Sequence, residues 1–138
     1  LSSMPEFTHL RREVPFKNSR FDLAFEHRGR QGFLEVKGVT LEENGVARFP
    51  DAPTLRGVKH IRELTEIAKE GMDAAVLFVI QMKGVSRFEP NMATQPEFGL
   101  ALKEAAEAGV RILAMDCLVS FDSVLSLTID APVPIVLP

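Results

Sequence analysis

Three side chains on two short stretches have the types and spacing to do chemistry. They are Asp22, in Arg20-Phe21-Asp22-Leu23-Ala24-Phe25, and Glu35 and Lys37, in Gly32-Phe33-Leu34-Glu35-Val36-Lys37-Gly38-Val39. Side chains on a strand alternate between faces, so Glu35 and Lys37 point the same way as Phe33, while Leu34, Val36 and Gly38 turn to the other. A Gly-rich turn over 28–32 separates the two stretches. Pairing them as a hairpin sets Asp22 beside Glu35 and Lys37. Two converging carboxylates repel each other unless a cation joins them, and their oxygens suit a hard ion, Mg²⁺ or Mn²⁺. Such an ion activates water and offsets charge developing on a phosphodiester. Lys37 would then orient or deprotonate the attacking water, or stabilise the phosphorane-like charge. The competing reading is a plain hairpin carrying a cross-strand ion pair.

Two further groups could serve the same centre. Arg56 and Lys59 are three apart and Arg56 and His60 four apart, so a helix would carry all three on one face near its N-terminus. With the helix dipole they form an anion-facing surface; the plainer alternative is a solvated face. His60 has no second histidine at ligand spacing, which argues against a metal-ligating role. Glu13 is a candidate ligand, direct or through water, with Glu6 a weaker substitute.

The elements that must position these groups follow from pattern and breakers. A short helix is expected over 5–13, with Phe7 and Leu10 on its apolar side, ending before Val14-Pro15 forces extended backbone. Asn18-Ser19 turns the chain into strands over 20–26 and 32–41. Glu42-Glu43-Asn44-Gly45 reverses it into Val46-Ala47-Arg48-Phe49. Asp51 or Thr54 caps a helix that reaches about Lys69, with Val58, Ile61, Leu64 and Ile67 or Ala68 at core spacing and Gly71 ending it. The apolar run over 73–80 reads as a buried strand. A loop holding Lys83, Gly84, Arg87 and Pro90-Asn91 follows. Then come a helix over 96–108 closed by Gly109, a strand over 110–115 and short terminal strands. This strand–helix–strand rhythm predicts an α/β fold, a mixed sheet flanked by helices, in one domain over 1–138.

Composition bounds the function. The chain has 138 residues, 46% of them hydrophobic, enough for a real core. Sixteen Lys and Arg stand against 19 Asp and Glu, a net charge of -3, which disfavours holding nucleic acid by bulk charge but leaves room for a local basic groove. The single cysteine, Cys117, excludes an internal disulfide, fits a reducing, cytoplasmic setting, and reads as a strand-end thiol. No membrane-spanning run or signal peptide is expected, since the longest apolar stretch, 74–80, is far short of about 20 residues.

These residues carry a resemblance. Arg12-Glu13-Val14, Asn18-Ser19-Arg20-Phe21-Asp22 and Glu35-Val36-Lys37-Gly38-Val39-Thr40-Leu41 resemble the sugar fermentation stimulation protein A family. So does the long block from Phe49-Pro50-Asp51-Ala52-Pro53-Thr54 through Arg62-Glu63-Leu64. Further matches are Arg87-Phe88-Glu89-Pro90-Asn91, the stretch 108–114 and the closing Val133-Pro134-Ile135-Val136-Leu137, so the likeness covers nearly the whole chain in order. The resemblance implies a restriction-endonuclease-like PD-(D/E)xK core, with the family's acidic residue at Asp22, its E-x-K at Glu35 and Lys37, and Glu13 at the acidic position before the hairpin. It also implies DNA as partner, met by Arg20, Arg56, Lys59 and His60, and a link to expression of sugar-utilisation genes. The expected partners are DNA and a second copy of the chain, with no membrane. Two departures stand out: Gly38 replaces the usual Ser after E-V-K, and Leu23 the usual Phe after Asp22. Nothing in the chain corresponds to the family's N-terminal OB-like domain. Three readings remain: a metal-dependent DNA phosphodiesterase, a catalytically silent DNA-binding regulator on the same scaffold, and a purely structural domain.

Overall fold

The computed structural model describes residues 8–16, 19–121 and 125–138. Its elements run β1 (Thr8–Phe16), β2 (Ser19–His27), β3 (Arg30–Val39), β4 (Leu41–Glu43), β5 (Val46–Phe49), α1 (Leu55–Lys69), β6 (Asp73–Ile80), β7 (Arg87–Pro90), α2 (Pro96–Ala108), β8 (Arg111–Phe121) and β9 (Leu125–Pro132). A six-stranded sheet has the order β1-β2-β3-β6-β8-β9, and a three-stranded one the order β4-β5-β7. The pairs β3–β6 and β6–β8 are parallel and the outer pairs antiparallel. This is the expected α/β fold with a mixed sheet.

Period-two burial divides the sheet into two faces. Phe33, Ala74, Val76, Phe78, Ile80 and Ala114 join the main core with Val58, Ile61, Leu64 and Ile67 of α1 and Phe98, Leu102 and Ala105 of α2. Leu34, Ala75, Leu77 and Met115 pack on the other face with Phe25. Both helices therefore cover the face that carries Phe33, and by alternation the face of Glu35 and Lys37.

Turn chemistry sets the register. Arg28-Gly29 and Asn44-Gly45 both have positive φ at each position, 53° and 76°, then 52° and 81°, the mirror-image turn that suits strand twist. At α1 the cap is Thr54, whose Oγ1 accepts from the Gly57 N–H at 2.9 Å. Gly109, at φ 105°, closes α2. Asn91, half of the Pro90-Asn91 signal, is buried; its Nδ2 donates to the Pro50 carbonyl at 3.0 Å, and Gln95 Oε1 accepts from Thr54 N–H at 2.9 Å. These bonds tie the segment before α1 to the segment before α2.

Three expectations fail. Residues 8–13 of the expected opening helix are strand β1, paired with β2 through Arg11↔Ala24 and Arg12↔Leu23; residues 5–7, with Glu6 and Phe7, lie outside the described residues. Pairing with an adjacent strand overrode a weak helical periodicity. The loop after β6 contains β7, which is too short to show a period but gains parallel partners on β5. Cys117 sits inside β8 rather than at its end, fully buried, because β8 runs on to Phe121 beside β9. Among the described residues no helix is long and apolar enough to cross a membrane.

Candidate functional site

The site forms where two strands part. The β2–β3 ladder runs from His27↔Arg30 to Leu23↔Leu34 and stops, while β3 continues beside β6 as far as Val39↔Ile80. The next residues in register, Asp22 and Glu35, replace the missing main-chain bonds with their carboxylates. Glu35 Oε1 accepts from the Asp22 N–H at 3.3 Å, and Asp22 Oδ2 accepts from the Val36 N–H at 2.7 Å. Backbone donors freed by the divergence are thus satisfied by side chains. The two carboxylates meet on the helix-covered face, as the hairpin predicted.

Glu35 is buried, only 4% exposed, and Asp22 is exposed at the mouth. Glu35 Oε2 lies 3.2 Å from Lys37 Nζ and 2.7 Å from His60 Nδ1, and Nζ is 3.2 Å from Nδ1. Burial pushes the Glu35 carboxyl above its usual range; Lys37 pulls it back, and neighbouring Asp22 raises it again. Burial is the main cause of this rise, and beside it two carboxylates share the one ammonium of Lys37. Burial lowers His60, reinforced by Lys37 and Arg56 and opposed by Glu63 and Asp22, so the ring is held neutral.

His60 is the residue that sequence reasoning misplaced. The expected common face holds for Arg56 and Lys59, both exposed, with Lys59 also 4.0 Å from Glu63. His60 instead turns inward, 5% exposed, its ring 6.2 Å from Phe21. The available signal was its spacing: His60 falls between Val58 and Ile61, both core positions. Glu63, one turn further along α1, was missed altogether, and its Oε2 is buried with no hydrogen-bond partner. Such an atom calls for water or a cation.

Glu13 is exposed at φ 51°, between the pairs Arg12↔Leu23 and Val14↔Phe21, which puts it opposite Asp22. A left-handed glutamate in mid-strand is strained and re-aims its side chain. Arg20 is exposed two residues before Asp22. Among the described residues no three His, Cys, Asp or Glu side chains form a ready cage for a metal. Two converging carboxylates still fit a hard cation, because Mg²⁺ is usually held by one or two carboxylates, with waters and substrate phosphate completing its shell.

Comparisons with known proteins identify the family and its fold. The profile described as "Sugar fermentation stimulation protein RE domain", RE denoting restriction-endonuclease-like, matches residues 1–123. A sugar fermentation stimulation protein homolog of Clostridium beijerinckii is 57% identical over 121 residues, covering 88% of this chain and 54% of that protein. One from Desulfitobacterium hafniense strain Y51 is 55% identical over 119 residues, covering 86% and 52%. The structure of Pyrococcus furiosus SfsA in complex with Ca²⁺ superposes with TM-score 0.83 at 31% identity, over 92% of this chain and 54% of that one. The chain thus spans about half the length of the curated relatives it matches. With the profile, the relatives and the superposed fold in accord, the chain belongs to the sugar fermentation stimulation protein family, through its restriction-endonuclease-like domain.

Proposed function

We propose that this chain is a DNA-binding domain with a nuclease-type divalent-cation centre at Asp22 and Glu35, acting on DNA phosphodiester bonds. The observation that carries the reading is the meeting of these carboxylates where β2 leaves β3, with Lys37 seated on Glu35. Further support comes from the Pyrococcus furiosus relative, which was solved with Ca²⁺. Mg²⁺ or Mn²⁺ is the working ion in this reading, and when bound it would supply Lewis-acid polarisation of a phosphate oxygen and of water. Asp22 and Glu35 would hold it, with Glu13, opposite Asp22, as a further candidate ligand. Lys37 turns N–H groups toward the water and the phosphate. Arg20, Arg56 and Lys59 lie exposed on the surrounding elements and meet the phosphate backbone.

The test incubates plasmid and single-stranded DNA with the chain, with and without Mn²⁺, beside Lys37→Ala. Metal-dependent cleavage that fails in the variant is expected, and Asp22→Ala and Glu35→Ala should each remove Mn²⁺ affinity. DNA binding without any cleavage would favour the silent regulator. Undiminished Mn²⁺ affinity in both carboxylate variants would leave only the structural domain.

A further inference from the structure

Resting on that reading, we propose that His60 is a positioning residue of the cation centre. Its ring occupies the inner oxygen of Glu35, so that Glu35 presents Oε1 alone to the ion it shares with Asp22. The geometry divides the Glu35 carboxylate sharply. Oε2 has two partners, His60 Nδ1 at 2.7 Å and Lys37 Nζ at 3.2 Å. Oε1 accepts from the backbone N–H of Asp22 at a long 3.3 Å, and the Asp22 carboxylate lies within hydrogen-bonding reach of the Glu35 carboxyl. A carboxylate oxygen accepts about two hydrogen bonds, so Oε2 is filled and Oε1 keeps a lone pair on the side of Asp22.

The same triangle decides the tautomer. Nδ1 cannot donate to Glu35 and accept from Lys37 at once. When Glu35 is the ionised form that ligates a cation, Nδ1 must carry the hydrogen and donate it to Oε2. Lys37 then also donates to Oε2 and has no bond to His60, although Nζ and Nδ1 are 3.2 Å apart. Its other N–H groups are left for water and phosphate. Burial of the ring beside Phe21 holds this orientation, and α1 supplies the rigid mount.

The test is read on metal binding, in the full chain without DNA. Calorimetric titration with Ca²⁺ should show His60→Ala weakened by about 10- to 100-fold, the range for partners that orient a ligand. His60→Asn, whose amide N–H can reach Oε2, should recover most of the loss. Equal Ca²⁺ affinity in wild type and His60→Ala would overturn the proposal, as would an Asn variant no better than Ala. Should the variants fail to fold, ¹⁵N shifts of the wild-type ring decide: in the Ca²⁺-loaded protein Nδ1 should be protonated, and an unprotonated Nδ1 overturns the proposal. A wild type that binds no Ca²⁺ defeats the cation reading itself, a different result from a wild type that binds regardless of residue 60.

Discussion

Glu35 and Glu89 are both strand glutamates in contact with cations, yet their surroundings drive them in opposite directions. Glu89 of β7 faces Arg48 of β5 in register, and Arg48 Nε and Nη2 reach its Oε1 at 3.0 and 2.9 Å while Arg87 Nε reaches Oε2 at 3.1 Å. Arg87, then Arg48, holds its carboxyl below the usual range. Glu35 has one ammonium, a neutral ring and another carboxylate beside it, and burial drives it upward. Arg48 also lies 3.6 Å from Glu43 Oε1, so two guanidiniums meet two carboxylates there and the charges balance. One ammonium for two carboxylates leaves a deficit that, in the proposed reading, a divalent cation would offset. The contrast separates a cross-strand clamp from the proposed binding site by the balance of charge around each glutamate.

Neutralising each glutamate should break the symmetry most visibly. Glu35→Gln is expected to lower divalent-cation affinity by at least about 100-fold, beyond the loss for an outer partner. It should also raise the melting temperature of the metal-free protein, by relieving a buried charge its surroundings disfavour. Glu89→Gln should leave Ca²⁺ binding intact and cost about 1–2 kcal/mol, the value of charge-assisted bonds at a partly exposed site. Calorimetry and thermal unfolding of the two variants check both signs. A stabilising Glu89→Gln, or a metal-free Glu35→Gln less stable than wild type, would erase the distinction.

Titration sharpens the same contrast. Glu35 has its folded pKa raised, so its contribution is fully present below the unfolded value near 4.5 and is lost as pH rises through the folded value. Glu89 has its folded pKa lowered, so its contribution is present above that unfolded value and is lost as pH falls through the folded one. Melting curves of the metal-free protein should therefore show the advantage of Glu35→Gln over wild type vanishing as the pH drops below about 4.5. The deficit of Glu89→Gln should shrink at lower pH still. Parallel pH profiles for the two variants would contradict the assignment.

What the sequence revealed depended on how local each cause was. The E-x-K spacing, the Gly-containing turns and the run over 73–80 are short-range patterns, and they gave Glu35, Lys37 and β6 residue for residue; the hairpin is there too, but its second strand begins and ends two residues earlier than the expected 32–41. The meeting of Asp22 with Glu35 needed only the hairpin register. The parting of β2 from β3 at that pair is different, because it depends on β3 staying with β6, more than 35 residues downstream. His60 lies in a run with Arg56, Lys59 and Arg62 whose charge pattern points to surface, yet its place between core positions Val58 and Ile61 turns it inward. Strand β1 hid behind an i,i+3 apolar pair that no single stretch could refute. The two arginines around Glu89 came together only through β5–β7 pairing across some 40 residues, with no motif to announce them.

The smallest effect tests whether site and scaffold are separable at all. Thr54 caps the helix that carries His60, its Oγ1 accepting from Gly57 N–H, and its own N–H is held by Gln95. Thr54→Ala removes the cap and should cost about 1 kcal/mol, a fall of roughly 3 °C in melting temperature for a domain of this size. Thr54→Ser should restore it. His60 lies six residues on, between Val58 and Ile61, which are buried with Leu64 and Ile67, so the body of α1 is held by its core and not by its first turn. Ca²⁺ affinity should therefore stay at the wild-type level in Thr54→Ala. If it falls along with stability, the cap itself presses His60 against Glu35, and the cation centre reaches back through α1 to the bonds that join Thr54 to Gln95.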